Sequence, residues 1–103
     1  MAKLYITEFS GLQVASGVAH SAESAQAAML PAVTQVITFG GTSVAGTAFS
    51  STTKLVRVHT DAACHITAGD SPTATAGDMR LGAGQTEYFG VVPGQKLAAL
   101  AGV

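Results

Sequence analysis

The chain has 103 residues, with 5 Lys and Arg, 6 Asp and Glu, and a formal net charge of −1. This length fits one modest core, so we predict a single domain over residues 1–103. The basic residues are scattered rather than clustered, which argues against a nucleic-acid partner. No apolar run approaches the ~20 residues that span a bilayer, so we expect no membrane association.

The low charge also bears on self-association. Charged residues make up 11% of the chain, against roughly 25% in an average soluble domain. A surface so poor in charge suggests that partner subunits cover much of it, and we expect a homo-oligomer, either a dimer or a trimer. The alternative is a soluble monomer that tolerates low charge. A single cysteine, Cys64, excludes an internal disulfide and any CxxC metal motif.

The first predicted strand is "KLYITEF", where Leu4 and Ile6 alternate with polar or amphipathic residues. Residues 13–32 follow and are rich in Ala, Ser and Gly, which favours an extended arm or loop. A short helix over 21–30 is the alternative, although Ser24 stands where a capping box needs Glu or Gln.

The next strand is "AVTQVITF", which ends at two glycines. Val44 and Phe49 are predicted to edge a short strand that places an aromatic side chain in the core. Further strands are predicted in "KLVRVHT", "ACHITAG", "MRL", the segment through Tyr88 and Phe89, and "KLAAL". About seven or eight short strands with regularly spaced turns indicate an all-β single-domain sandwich or jelly roll.

The strands "KLVRVHT" and "ACHITAG" are predicted to pair as a hairpin across Asp61 and Ala62. Side chains alternate between the two faces of a strand. The alternation directs Val56 and Val58 to the core and Cys64 inward as a small buried hydrophobe. The residues predicted on the opposite face are Leu55, Arg57, His59, His65 and Thr67.

His59 and His65 would be cross-strand neighbours in that hairpin, on its outer face. Asp61 could add a third ligand, but a structural zinc needs four and Asp61 is better explained as an acceptor for turn N–H groups. We therefore predict no metal site. If a subunit interface covered the two imidazoles, assembly would respond to pH between about 6 and 7.

Other motifs give no catalytic site. "GAGQTE" lacks the third glycine of a dinucleotide fingerprint and precedes a strand, so it is predicted to be a turn. Ser43 lacks the context of a nucleophile elbow. Glu87 lies in a half-exposed strand without an evident second carboxylate. We predict that the protein is not an enzyme and that it has no catalytic, cofactor-binding or metal-ligating residues.

Several segments together resemble the small structural head proteins of tailed bacteriophages, among which capsid cement or decoration proteins occur. The resemblance spans nearly the whole chain except the arm. Its segments are "AKLYITEFSGL", "TQVITFGGTS", "TKLVRVHTDAACHITAG" and "SPTATAGDMRLGAGQTEYFGVVPGQKLAALAG". "VRVHTDAACHI" and "QTEYFGVVPGQKLA" are its most specific parts.

The resemblance implies a β-sandwich or jelly roll that binds the outer capsid at capsomer junctions and stabilises the shell. Its partners would be other copies of itself and the major capsid protein, in a virion assembled in the bacterial host cytoplasm. We expect the arm and the first strand to make these contacts. One alternative is a tail, connector or fibre component. Another is a small cupin-like or ligand-binding jelly roll, for which the sequence offers only His20, His59 and His65 as imidazole ligands.

Overall fold

The computed structural model of the chain describes residues 2–10, 12–14, 26–28 and 33–102. Its described residues contain ten β-strands: β1 (Ala2–Phe9), β2 (Leu12–Val14), β3 (Gln26–Ala28), β4 (Val33–Phe39), β5 (Val44–Ala45), β6 (Leu55–Thr60), β7 (Cys64–Gly69), β8 (Met79–Leu81), β9 (Thr86–Gly90) and β10 (Lys96–Ala101). Across these ranges we find no helix with the length and hydropathy that a membrane crossing requires.

Eight of the strands form two four-stranded antiparallel sheets, which confirms the predicted all-β sandwich. The first sheet has the strand order β4-β1-β6-β9, and the second has the order β5-β10-β7-β8. In the first sheet Tyr5 pairs with Val36 on one side and with His59 on the other. β1 lies between β4 and β6 and therefore fixes the register of both strands.

The core lies between the two sheets and follows the alternation of each strand. Leu4 and Ile6 of β1 are fully buried, as are Val56 and Val58 of β6, in agreement with the sequence prediction. The remaining buried members of this cluster are Ile37, Phe39, Phe49, Cys64, Ile66, Leu81, Leu97 and Ala99. Burial of these apolar side chains is the main force that holds the sheets together.

The predicted hairpin between β6 and β7 is wrong, although both strands exist. β6 pairs with β1 and β9, whereas β7 pairs with β10 and β8, so the chain crosses from one sheet to the other at residues 61–63. Thr60 stabilises this corner, since its hydroxyl donates to the Ala62 carbonyl at 2.5 Å. A three-residue link suits either a hairpin or a corner, and local alternation does not reveal which strands become partners.

The predicted arm is described at two places. β2 and β3 form a two-stranded antiparallel sheet in which Leu12 pairs with Ala28. The helix alternative over 21–30 is therefore wrong at residues 26–28, which are extended. The other residues of the 13–32 arm, including His20, lie outside the described ranges.

Residues 46–50 close one side of the sandwich. Gly46 donates its N–H to the Leu97 carbonyl at 2.8 Å. Phe49 donates to the Gln95 carbonyl at 2.7 Å and accepts from the Gly94 N–H at 3.1 Å. Gly94 lies in the turn between β9 and β10 and has a φ of 85°, a conformation that favours glycine. The phenyl ring of Phe49 is buried in the core, as the sequence predicted. The strand predicted with it is shorter, because β5 ends at Ala45 and Phe49 lies in the following loop.

Candidate functional site

The outer face of the first sheet exposes apolar and aromatic side chains on β4, β1 and β9. The exposed fractions are 52% for Val36, 40% for Tyr5 and 56% for Tyr88. We call this surface the open face and define it by Lys3, Tyr5, Thr7, Thr34, Val36, Thr38, Arg57, His59, Thr86 and Tyr88. Contiguous exposed apolar surface with a polar surround is typical of interaction sites.

The open face has a positive electrostatic character. It carries the charged side chains of Lys3 and Arg57 but no carboxylate. Asp61 lies at its margin, where Oδ1 accepts the Lys3 N–H at 2.8 Å. The sequence predicted that the Asp61 carboxylate would accept from its own turn, and this is wrong because it accepts from β1. A surface of this kind complements an anionic partner.

His59 is held in place within the open face. Its Nδ1 lies 2.7 Å from the Thr86 Oγ1 on β9, and its ring centroid lies 6.3 Å from that of Tyr5 on β1. These two neighbours lie on β9 and β1, the strands on either side of β6. The imidazole is thus part of the ordered surface.

The outer face of the second sheet differs because residues 70–78 lie across it. This segment begins after β7, and its Ala74 N–H donates to the Ser43 Oγ at 2.8 Å, beside β5 on the far edge of the sheet. Ala74 is buried, and Ala98, an outward residue of β10, is also fully buried. Ser43, which the sequence analysis did not favour as a nucleophile, here anchors the covering segment.

The two histidines of the predicted hairpin do not meet. His59 lies on the open face, whereas His65 lies on the outer face of the second sheet, where its Nδ1 is 3.1 Å from the Asp78 carbonyl oxygen. The sheets stand between them, so the expected cross-strand pair is wrong. In the part of the chain that the structure describes, no group of three or more His, Cys, Asp or Glu residues could hold a metal ion.

Cys64 is fully buried in the core, as predicted. Burial raises the pKa of its thiol above the ordinary value, and the Thr60 hydroxyl and the Arg80 charge offset this only in part. The Sγ atom lies 3.7 Å from the Thr60 Oγ1 as a hydrogen-bond donor. A buried, protonated thiol is a poor nucleophile, so Cys64 acts as a small core residue.

We expect the native protein to resist alkylation by iodoacetamide at pH 8, because the reagent needs an accessible thiolate. The same protein in denaturant should be labelled completely. Mass spectrometry of the intact chain measures both states. Rapid labelling of the folded protein, with its circular dichroism unchanged, would show that Cys64 is reachable and reactive.

Among the described residues, Glu87 takes part in a hydrogen-bond network within a turn. Its Oε2 accepts from the Gln85 Nε2 at 2.8 Å, and the Gln85 Oε1 accepts from the Gly82 N–H at 2.8 Å. Gly84 in the same turn has a φ of 78°. These bonds stabilise the turn between β8 and β9, which the sequence predicted from "GAGQ".

Glu8 is a buried acid, 4% exposed, that was not predicted from the sequence. Its Oε1 accepts from the Thr53 Oγ1 at 2.7 Å and from the Ser50 N–H at 3.0 Å, and its Oε2 accepts from the Gln35 Nε2 at 3.1 Å. The alternation of β1 did indicate an inward position for Glu8, because Glu8 lies on the same face of the strand as Leu4 and Ile6. The carboxyl group joins β1, β4 and the 46–53 loop.

An apolar recess of about 320 Å³ opens between the sheets on the side of β8 and β9. Its walls include Val56, Ile66 and Phe89 from the inner faces of both sheets, and the exposed Met79. Asp78 is the one ionisable residue among the described residues that line it, and Asp78 Oδ2 accepts from the Thr75 N–H at 2.8 Å. The recess therefore lacks the paired titratable groups that general acid and base chemistry uses.

The open face is the described surface best suited to contact a partner. It combines exposed valine and tyrosine side chains with cations and lacks carboxylates, while the opposite face is covered by residues 70–78. Comparisons of the chain with protein-family models, with curated proteins and with solved structures find no match.

Proposed function

We propose that the protein is a structural component of a tailed-phage virion that binds the outer capsid at capsomer junctions and stabilises the shell. In this proposal the protein acts by binding other proteins and catalyses no reaction. Its support comes from the sequence resemblance, the low charge content and the sandwich fold. The open face carries the proposal, because it presents an interaction surface on only one side of the molecule.

The chemistry of the open face defines the partner. Lys3 and Arg57 would lie opposite carboxylates of the major capsid protein, and Tyr5 and Tyr88 would pack on its apolar surface. Aromatic and arginine side chains are enriched in interface centres. Many copies on one shell would stabilise it collectively, even when each contact is weak.

The proposal is tested by adding the purified protein to expanded capsids of the cognate virus that lack it. We expect co-sedimentation with the capsids and an increase in their melting temperature, measured by calorimetry. Since the contact is partly electrostatic, binding should weaken as salt rises. Capsids that neither bind the protein nor gain stability would contradict the cement function.

Charge reversal on the open face locates the contact. Arg57→Glu should weaken capsid binding by at least about tenfold, because it places an acid against an anionic surface. Arg80→Glu is the matched control, since it changes the net charge equally but lies on the exposed β8 strand of the other sheet. Equal losses from both variants would indicate a non-specific charge effect, and a loss from Arg80→Glu alone would place the contact on the second sheet.

The runner-up is a tail, connector or fibre component of the virion. Labelling of intact particles with an antibody against this chain distinguishes the two locations by electron microscopy. Label over the head supports the cement function. Label restricted to the tail or the portal vertex supports the runner-up.

A further inference from the structure

We propose that β4 is a self-association edge, through which two copies of the chain join and continue the first sheet across a two-fold axis at Val36. The occupant of this edge is a second copy of the same chain. This inference builds on the expected homo-oligomer but is independent of capsid binding, so it can be tested on the purified protein alone.

The hydrogen bonds of β1 show which backbone groups of β4 face outward. Lys3 donates to the Asp61 side chain and accepts from the Asp61 N–H. The odd-numbered residues of β1 therefore point their backbone N–H and C=O groups towards β6. The even-numbered residues of β1 point these backbone groups towards β4, where Leu4 pairs with Ile37 and Ile6 with Gln35. In an antiparallel sheet these directions alternate. Thr34, Val36 and Thr38 therefore point their N–H and C=O groups away from β1.

The outer edge of β4 has no strand partner among the described residues, because β4 is terminal in the sheet. It is also the least protected edge of the sandwich. β4 has seven residues, "VTQVITF", without charge or proline. β5 and β8 have two and three residues, and β9 contains Glu87. Proteins commonly protect edge strands by shortness, charge or proline, and an edge without these features is a template for pairing.

The outward groups of β4 are complementary to themselves. An antiparallel copy centred on Val36 pairs Val36 with its own equivalent and Thr34 with Thr38. The three outward residues of each copy donate one bond apiece, which gives six backbone hydrogen bonds in all. The open-face side chains then form Thr–Thr and Val–Val pairs across the axis, which are favourable neighbours in a sheet. Any other register that joins the outward groups of Thr34, Val36 and Thr38 forms fewer bonds among these three residues.

The charge and area of this contact define its strength. No like charges oppose each other, and the exposed Val33 and Val36 of β4 and Val44 of the adjacent β5 add apolar surface. One strand pair nevertheless buries less than the roughly 1,200 to 2,000 Å² of a stable interface. We therefore expect a weak, concentration-dependent dimer, which would be strengthened when many copies are held on one surface.

Sedimentation velocity of the full chain over a concentration series tests the inference. The wild-type protein should shift from one chain to two. Val36→Lys should raise the dissociation constant by at least about tenfold, because it places two ammonium groups opposite each other at the axis. A wild-type protein that remains monomeric at millimolar concentration would overturn the inference.

Tyr88→Lys is the matched control. Tyr88 has nearly the same exposure as Val36, faces the same side of the sheet and occupies β9, the opposite edge strand. We expect Tyr88→Lys to leave the dissociation constant of the dimer unchanged. If Tyr88→Lys prevents association while Val36→Lys does not, the dimer uses β9 and the assignment to β4 is wrong.

Amide hydrogen exchange of the wild-type protein gives a second readout that needs no variant. The amides of Thr34, Val36 and Thr38 should become protected as the protein concentration rises. Those of Thr86 and Tyr88, at the opposite edge, should exchange at a constant rate. Concentration-independent exchange at all three β4 amides, while the protein dimerises, would overturn the assignment even if Val36→Lys failed to fold.

Discussion

Replacing Glu8 by alanine should lower the free energy of unfolding by about 3 kcal/mol. The substitution removes the acceptor of three hydrogen bonds, from the Thr53 hydroxyl, the Ser50 N–H and the Gln35 amide. Each buried donor left without a partner costs about 1 to 3 kcal/mol, and water entering the space recovers part of that. Urea denaturation followed by circular dichroism measures the loss.

Two further substitutions separate the loss of the Glu8 hydrogen bonds from a general effect of substitution in β1. Glu8→Gln keeps an oxygen for Ser50 and Thr53 but opposes its amide nitrogen to that of Gln35, so it should cost only about 1 kcal/mol. Thr7→Ala alters the neighbouring outward position of β1 and should change stability by less than about 0.5 kcal/mol. If Glu8→Ala were as stable as the wild type, the network would contribute nothing to the fold.

Phe49→Ala should lower the free energy of unfolding by about 3 to 4 kcal/mol. Phe49 belongs to no strand, yet its side chain is 2% exposed and lies in the core cluster. Removing the ring leaves a cavity between the sheets where the 46–50 segment closes the sandwich. The same loop carries the Ser50 N–H that bonds to Glu8, so the cavity also loosens that network.

Tyr88→Ala is the comparison for Phe49→Ala, because it removes an aromatic ring that is 56% exposed. We expect it to change the free energy of unfolding by less than about 0.5 kcal/mol. Thermal and urea unfolding of both variants measure the difference. Comparable losses from the two substitutions would mean that the loop phenylalanine is not a core anchor.

Much of the strand content could be predicted from sequence because it depends on local alternation. In β1, β4, β6 and β7 the buried apolar residues recur at every second residue, and glycines mark the turns that follow β4 and β8. The same period places the adjacent Tyr88 and Phe89 on opposite faces of β9. These predictions needed no knowledge of which strands are neighbours.

The candidate surface could be predicted only in part. Alternation directed Arg57 and His59 outward, but it did not show that Tyr5, Val36 and Tyr88 share their sheet face. That grouping depends on the strand order β4-β1-β6-β9, which joins residues far apart in the chain. Likewise, nothing local indicated that residues 70–78 cover the opposite face.

The stretch "KLVRVHTDAACHIT" shows where sequence reasoning stopped and tertiary structure decided. Alternation by itself determined that Val56, Val58 and Cys64 face inward, because neighbouring side chains in a strand must point to opposite faces. It did not determine the partners of the two strands. Only packing of the sheets decided that the chain crosses between them after Thr60, which separates His59 from His65. Strand pairing depends on contacts between distant residues, and a local pattern does not contain them.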